Sequence, residues 1–570
     1  MTPSAGSGTT TIPPSGVSRP LGGARRHDEH HQRTGVHGWW CFVSVPDTPQ
    51  EEPAIFTTYR PGLAAGRDAQ VLHRAATPEF SGWLEHTRPA GGCARPVRLS
   101  GTIAAVDRNT GRVLSEQHTD ELPDRTLYKA CGNRRESACP DCAWVYQGDA
   151  YQVVCRGLTG GKGIPASVGR HPVVFATFTA PSFGPVHHRH VPNHTCRTRQ
   201  RCDCRPAPCR ARSNAGTCKH GQPIACFARH DADDPRLGQP LCLDCYDHAH
   251  QVVWNHFSGE LWRRTKQAAE RHVAGRCRRR GIPKVGIVTA SGKVRWVPPV
   301  RVSHGKVAEM QRRGAVHFHV LLRLDGVDPD DPDALVPPPD GITVDDLEDA
   351  IHAAARQITV TTPPHHDQPQ GWLVTWGEQV DVRRINTVGG ELTDGKVAAY
   401  LAKYATKATE ATGHSSTRLT PSTVDDYADP GGDHVARLID ACWHLGRPTP
   451  TDTTGGAATA DDRQGILDAK PNVYAGLRRW AHMLGFGGHF LTKARRYSVT
   501  FGQLRETRTT YRHEEDNEPD DTLTVATLTY IGSGWLSEGD ALLANTAARQ
   551  RRESRRIGRE ELAHETWVAA

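Results

Sequence analysis

The sequence predicts an α+β chain with zinc-binding insertions and a basic helical C-terminal region. Three observations predict it: a strand of period two bearing paired histidines, a run of helix formers bearing paired tyrosines, and sixteen cysteines of which fourteen fall between residues 93 and 277.

The strand is RRGAVHFHVLLRLDG, residues 312–326. Alternation puts Val316, Phe318, Val320, Leu322 and Leu324 on one face and His317, His319, Leu321 and Arg323 on the other. The histidines share a side that need not be the core side. Two imidazoles at i and i+2 can converge on one cation, because the sheet holds both Cα positions and imidazole is a common metal ligand. An isolated H-x-H equally describes a hydrogen-bonded pair on a solvated strand, so the motif needs company.

The helix is DGKVAAYLAKYATKATE, residues 394–410, rich in strong helix formers and free of proline, with Thr393 or Asp394 as N-cap. Val397, Leu401, Ala405 and Ala408 form a small apolar stripe. Tyr400, Lys403, Tyr404 and Lys407 stand at i, i+3, i+4 and i+7 and project from one adjacent stripe. A tyrosine hydroxyl with a pKa of about 10 is a poor nucleophile until a lysine or a metal favours its phenolate. Attack on a phosphodiester would leave a phosphotyrosine bond and a free 3′-hydroxyl.

The cysteines form two blocks. The first, CGNRRESACPDC, holds Cys131, Cys139 and Cys142, with Cys93 or Cys155 available as a fourth ligand. The second, residues 194–250, holds Cys218, Cys226 and the C-x2-C pair Cys242/Cys245, with Cys196, Cys202, Cys204, Cys209, His220 and His230 as further candidates. In a reducing compartment such spacing reads as structural Zn2+ instead of disulfides.

Composition sets the frame. A chain of 570 residues has room for several domains. Yet 37% hydrophobic residues, 6% aromatics, 55 Gly and 40 Pro leave much of it to loops and linkers. The expected division is a disordered region over 1–90, a zinc-ribbon-like segment over 91–165, a core over 166–412 with an insertion at 191–250 and a loop at 327–341, a linker with a short helix over 413–470, and a basic DNA-binding region over 471–570. The net charge of +7 is clustered, as in RCRRRGIPK at 276–284 and RQRRESRRIGRE at 549–560, which favours a polyanionic partner such as DNA. No run of about 18 apolar residues predicts a membrane span, and the start MTPSAGSGTTTIPPSG does not look like a secretion signal, so a cytoplasmic location without membrane partners is expected. GLTGGKG at 157–163 lacks P-loop spacing, so no ATP site is expected.

Together, the H-x-H strand with Phe318 at its centre and the Y-x-x-K-Y-x-x-K helix resemble the HUH endonuclease superfamily, and within it the rolling-circle replication initiators of actinobacterial plasmids and integrative conjugative elements. FATFTAPSFG at 175–184, CLDCYDHAHQVVWNHFSGELWRRT at 242–265 and LRRWAHMLGFGGHFLTKARRYS at 477–498 look like further family signatures, and the likeness spans roughly residues 90–510.

The resemblance implies a ferredoxin-like core, an antiparallel sheet backed by helices. On its surface His317 and His319 would hold Mg2+ or Mn2+ to polarise the scissile phosphate. A third ligand is usual in the superfamily. A turn at Arg312 to Gly314 would fold Glu309 or Gln311 beside His317, with charge favouring Glu309. Tyr404 is expected to attack first and Tyr400 second, with Lys403 and Lys407 near the phosphate or phenolate; Glu378 and Asp381 are further carboxylates for a hydrolytic step. The implied partners are origin DNA, single-stranded at the nick, and a host helicase and polymerase. A conjugative relaxase or HUH transposase would use the same chemistry on another DNA end. A non-enzymatic zinc-finger regulator would explain the cysteines and leave the His and Tyr motifs unexplained.

Overall fold

The computed structural model describes residues 66–191, 206–211, 216–385, 394–407, 409–412, 417–447, 472–515 and 522–568. The element WWCFVSV at 39–45, Cys196, Cys202, Cys204, Thr393 and Ala408 lie outside the described residues, as do most of residues 1–90 and part of the 413–470 linker.

Along the chain, helices α1 (Arg67–Ala75) and α2 (Phe80–Thr87) precede strands β1 (Val97–Asp107), β2 (Val113–His118) and β3 (Leu127–Lys129), then α3 (Pro140–Thr159), β4 (Val173–Phe178) and the long α4 (His248–Arg279). Next come a hairpin of β5 (Val285–Val288) and β6 (Val294–Val297), strands β7 (Val300–Met310) and β8 (Val316–Gly326), and α5 (Val344–Gln357). Short strands β9 (Val360–Thr361) and β10 (Leu373–Val374) lead to β11 (Val380–Arg384), α6 (Asp394–Ala405) and α7 (His434–Leu445). Strands β12 (Leu491–Lys493) and β13 (Thr522–Ser533) and the helix Glu538–Val568 finish the chain.

The architecture is mixed α+β with antiparallel sheets. The central sheet has the order β11-β4-β8-β7-β12, every pair antiparallel. A second sheet pairs β1 with β13, β2 and β3, so segments more than 400 residues apart in sequence share one ladder. The β7–β8 turn closes where Gln311 N–H donates to Ala315 O at 2.9 Å and Gly314 N–H to Gln311 O at 2.8 Å. Gly314 takes φ +74°, and an added Cβ would meet the Leu484 side chain at 2.7 Å, so only glycine fits this turn.

Both faces of the central sheet are covered. Val316, Phe318, Val320, Leu322 and Leu324 are at most 1% exposed and pack against Trp254, Leu261 and Val273 of α4 and Leu347 and Ile351 of α5. Burying each such side chain contributes about 1.5–3 kcal/mol. The opposite face, whose cover the sequence leaves open, is a second core: Val307, Leu321 and Val173 lie under Val154 and Leu158 of α3 and Val397, Leu401 and Ala405 of α6. The tyrosine helix is held down by its small apolar stripe, and the two histidines emerge at the edge of that second core.

Local signals set the helix ends. The Asp247 carboxylate caps α4 through His250 N–H at 2.8 Å, and Thr343 with Asp346 makes a capping box on α5. The α6 helix stops at Ala405, short of the expected Glu410. There the Thr406 hydroxyl donates back to Lys403 O at 2.8 Å, competing with helical continuation. Lys407 therefore lies beyond the helix and not on its i+7 stripe.

Candidate active site and metal centres

The register of β7 on β8 sets Glu309 directly opposite His317 and Val307 opposite His319, so Glu309, His317 and His319 project from one face. Oε2 of Glu309 lies 2.7 Å from Nε2 of His317 and 2.8 Å from Nε2 of His319, and the three ligand atoms converge within 4.8 Å of one another. Gln311 stands outside this set: its amide nitrogen faces Nδ1 of His317 at 3.3 Å, and its Oε1 accepts from Arg313 at 3.0 Å. Thr177 on β4 meets Nδ1 of His319 at 3.1 Å. Both imidazoles thus have the outer nitrogen engaged and Nε2 turned inward, the arrangement that orients histidines on a metal.

Two imidazoles and one carboxylate, with room for oxygen ligands from water or phosphate, suit a divalent cation that accepts both nitrogen and oxygen. Burial pushes the Glu309 carboxyl up, but the hydrogen bonds from His317 and His319 outweigh it and bring its pKa to about 2, so Glu309 is a carboxylate throughout the neutral range. Burial lowers His319, which keeps it neutral and available as a ligand.

The α6 helix places both tyrosines over this triad. The Tyr400 hydroxyl is 3.4 Å from Nε2 of His319, the Tyr404 ring centroid is 5.9 Å from that of His319, and the two tyrosine rings are 4.6 Å apart. Phe175 stacks on His319 at 5.7 Å and meets Tyr400 edge-on, fixing the rings between sheet and helix. Burial raises both phenols, and the negative Glu309 raises them further. The interaction between the two hydroxyls acts in opposite directions, raising Tyr400 and lowering Tyr404.

Lys407 lies with Nζ 5.6 Å from the Tyr404 ring centroid, while Lys403 is exposed. Asp381 shares a register row with Thr177 and His319 but is occupied by Arg383 at 2.8 Å on the exposed edge strand, and Glu378 is exposed.

The cysteines gather into three four-ligand clusters where the sequence suggested two blocks. Cys93, Cys131, Cys139 and Cys142 form the first, with Sγ–Sγ distances of 3.6 Å (Cys131 and Cys142) and 3.9 Å (Cys93 and Cys139). A tetrahedral zinc with Zn–S of about 2.3 Å spaces its sulfurs about 3.8 Å apart, so this cage has zinc dimensions. Backbone N–H groups of Ala94, Cys131 and Asn133 donate to the sulfurs of Cys139, Cys93 and Cys131, and hydrogen bonds shared with the other three thiols hold Cys139 well below the usual thiol range. Cys155, the other fourth-ligand candidate, is buried in the second core beside Thr159.

In the second block Cys226 parts from the other three cysteines singled out there. It joins His187, Cys209 and His230, while Cys218, Cys242 and Cys245 close around His220. Asp234 holds Nδ1 of His230 at 2.7 Å and turns its Nε2 toward Cys226, 3.6 Å away. Among these ligands only His187 escaped the sequence reading. It sits in HHRH at 187–190 with no C-x2-C partner beside it, and no local spacing points to it.

One residue at the site had no sequence signal at all. Arg134, between Cys131 and Cys139, donates from Nη1 to the carbonyls of Ala405 at 3.2 Å and Lys407 at 2.8 Å, the end of the tyrosine helix, and its guanidinium lies 3.8 Å over the Phe490 ring. Ser137 of the same loop donates to Glu410 at 2.6 Å.

A family model described as replication initiator protein, pSAM2 (RepSA) matches residues 79–549. A replication initiator protein of Streptomyces ambofaciens is 39% identical over 507 residues, covering 86% of this chain and 94% of that protein. No solved structure matches the chain. No described helix is long and apolar enough to cross a membrane.

Proposed function

From the premise that the chain belongs to the replication initiator protein family of pSAM2, we propose that it starts rolling-circle replication as a metal-dependent, origin-specific DNA nicking and closing endonuclease of the HUH type. One observation carries this reading: a carboxylate and two imidazoles converge on one point beneath a pair of tyrosines, all within one layer between sheet and helix.

Glu309, His317 and His319 would hold Mg2+ or Mn2+, which when bound supplies Lewis-acid polarisation of the scissile phosphate. The chain does the rest. Tyr404, whose ionised form the Tyr400 hydroxyl favours, passes its proton to water as its oxygen attacks phosphorus. A Tyr–O–P bond forms, the P–O3′ bond breaks, and the departing 3′ oxygen takes a proton to become the primer hydroxyl. Lys407, beside the Tyr404 ring, favours the phenolate and the phosphate charge. Tyr400, tethered to His319, is placed for a second transfer when the round closes, and attack of a 3′-hydroxyl on the phosphotyrosine reseals the strand.

The three Cys/His cages are read as structural Zn2+ sites that shape the surface reading the origin, since contacts at the nick alone carry little sequence information. Unwinding and synthesis fall to a host helicase and polymerase. The test is incubation with supercoiled origin DNA and Mn2+ or Mg2+, with a nicked circle bearing covalent protein as the expected product. Intact DNA with both wild type and the His317→Ala/His319→Ala variant, despite binding, rejects the enzymatic reading in favour of a DNA-binding regulator. A nick at a transfer origin or transposon end reassigns the chain to a relaxase or transposase role.

A further inference from the structure

The geometry points to the β5–β6 hairpin as a second DNA contact, in which Trp296 stacks on an unpaired base away from the Glu309, His317 and His319 triad. This goes beyond the nicking site and rests only on the reading that the chain handles a single DNA strand.

The charge pattern comes first. Between Glu270 and Glu309 the chain has ten Lys and Arg residues and no Asp or Glu. Four of the ten are engaged: Arg276 and Arg280 pair with Asp349 and Asp346 of α5, Arg301 donates to Pro332 and Ala334 carbonyls, and Lys306 is buried over the Phe318 ring. Arg278, Arg279, Lys284, Lys293 and Arg295 are exposed and form no ion pair among the described residues. These exposed cations, with no acid in the intervening sequence, make the segment complementary to a phosphate backbone.

The hairpin itself is built to display an aromatic plane. Its register pairs Gly286 with Trp296 and Val288 with Val294. The inner face carries the buried Ile287 and lines a cavity of about 410 Å³ against Gln267 and Arg271 of α4. The outer face carries Val288, Val294 and Trp296, which are 66%, 55% and 65% exposed. A Cβ on Gly286 would sit 3.4 and 3.5 Å from two atoms of the indole's six-membered ring and 3.0 Å from Val294. The indole thus lies across the glycine, resting on the strand with its other side free. A flat ring propped on backbone, on a hairpin whose turn carries Lys293 and whose opposite face carries Arg295, offers the two elements that single-strand binding grooves combine, stacking for bases and charge for phosphates.

Position gives the contact its reach. The hairpin feeds through Pro298 and Pro299 into β7, and Glu309 lies nine residues beyond Val300 on that strand. At about 3.3 Å per residue, the stretch of β7 from Val300 to Glu309 alone spans about 30 Å. A stacked strand covers that span in roughly nine nucleotides. The hairpin would then hold the strand at a distance from the cut, keeping it engaged while the tyrosine link is made.

The test uses the full chain and two fluorescent single-stranded origin oligonucleotides, one confined to the nick site and one extending well past nine nucleotides on either side. Trp296→Ala is expected to weaken binding of the long oligonucleotide about tenfold, as loss of one stacked base does. Binding and nicking of the short one stay at wild-type level, and Trp296→Phe keeps most of the affinity. Lys293→Ser/Arg295→Ser should flatten the salt dependence of long-strand binding. Equal affinities of wild type and Trp296→Ala for the long oligonucleotide overturn the proposal. So does an equal loss on the short oligonucleotide or on duplex DNA, or capture of a protein partner by this face with no DNA effect. A wild type that binds both oligonucleotides and nicks neither refutes the endonuclease reading and leaves this one standing.

Discussion

Nη1 of Arg134 donates to the carbonyl oxygen of Ala405, so a residue in the four-cysteine loop caps the helix that carries both tyrosines. The same nitrogen reaches Lys407 O, which ties down the turn holding the lysine nearest Tyr404. Helix C-terminal carbonyls favour a nearby cation, and here the cation is anchored by Phe490 and by a loop whose ends, Cys131 and Cys139, belong to the four-cysteine cluster.

Arg134→Ala should therefore slow covalent complex formation while leaving metal affinity at the triad unchanged. Losing charge-assisted hydrogen bonds and leaving carbonyls without them costs about 1–3 kcal/mol locally. Single-turnover formation of the protein–DNA adduct, together with Mn2+ titration, separates this outcome from a general loss of structure, and Arg134→Lys should recover part of the rate.

Glu309 and Gln311 should behave differently. Glu309→Ala removes a ligand and should abolish measurable Mn2+ binding by calorimetry. Gln311→Ala removes only the partner of His317 Nδ1 and should weaken binding by roughly tenfold. Equal effects of the two substitutions contradict the assignment of Glu309 as the ligand.

Purified protein should carry three zinc ions per chain by elemental analysis. Cys131→Ser, Cys226→Ser and Cys245→Ser should each remove one, because the three residues belong to separate cages. If Cys226→Ser and Cys245→Ser remove the same ion, the division of the second block is incorrect.

Stability should fall as the solution is acidified below about pH 6.5. Burial lowers His248 and His434 to about 4 each, and His304 to about 3. A histidine whose folded pKa is depressed stabilises the fold fully above its unfolded pKa and loses that contribution as pH falls toward the folded value. The window is about pH 6.5 to 3, ahead of the loss from Glu309, whose folded pKa of about 2 places its contribution between its usual value and there. Thermal melting across this range checks it. His434→Gln, which loses the titrating ring that meets His248 at 3.1 Å and Arg313 O at 2.9 Å, should flatten the slope while lowering the neutral-pH melting temperature.

Much of the site was legible because it depends on local periodicity. The alternation of Val316, Phe318, Val320, Leu322 and Leu324 with His317 and His319 separated the apolar core side of the strand from the side that bears both histidines. The i, i+4 spacing put Tyr400 and Tyr404 on neighbouring turns. Lys407 was misplaced because helix propensity says nothing of the Thr406 back-bond or of a guanidinium arriving from residue 134. What covers the histidine face stayed open because alternation tells two faces apart without saying what packs on each, and α3 and α6 come from distant sequence.

By itself, then, the sequence determined what short-range geometry encodes: the strand carrying two imidazoles, the helix carrying two phenols, and the C-x2-C pairs around which the cysteine clusters form. Tertiary structure alone decided that Glu309 and not Gln311 meets both imidazoles, that Cys226 leaves its neighbours for His187, and that an arginine of the four-cysteine loop caps the tyrosine helix. The reason is physical. Register and loop path bring together groups tens to hundreds of residues apart, and no period of 2 or 3.6 carries that information.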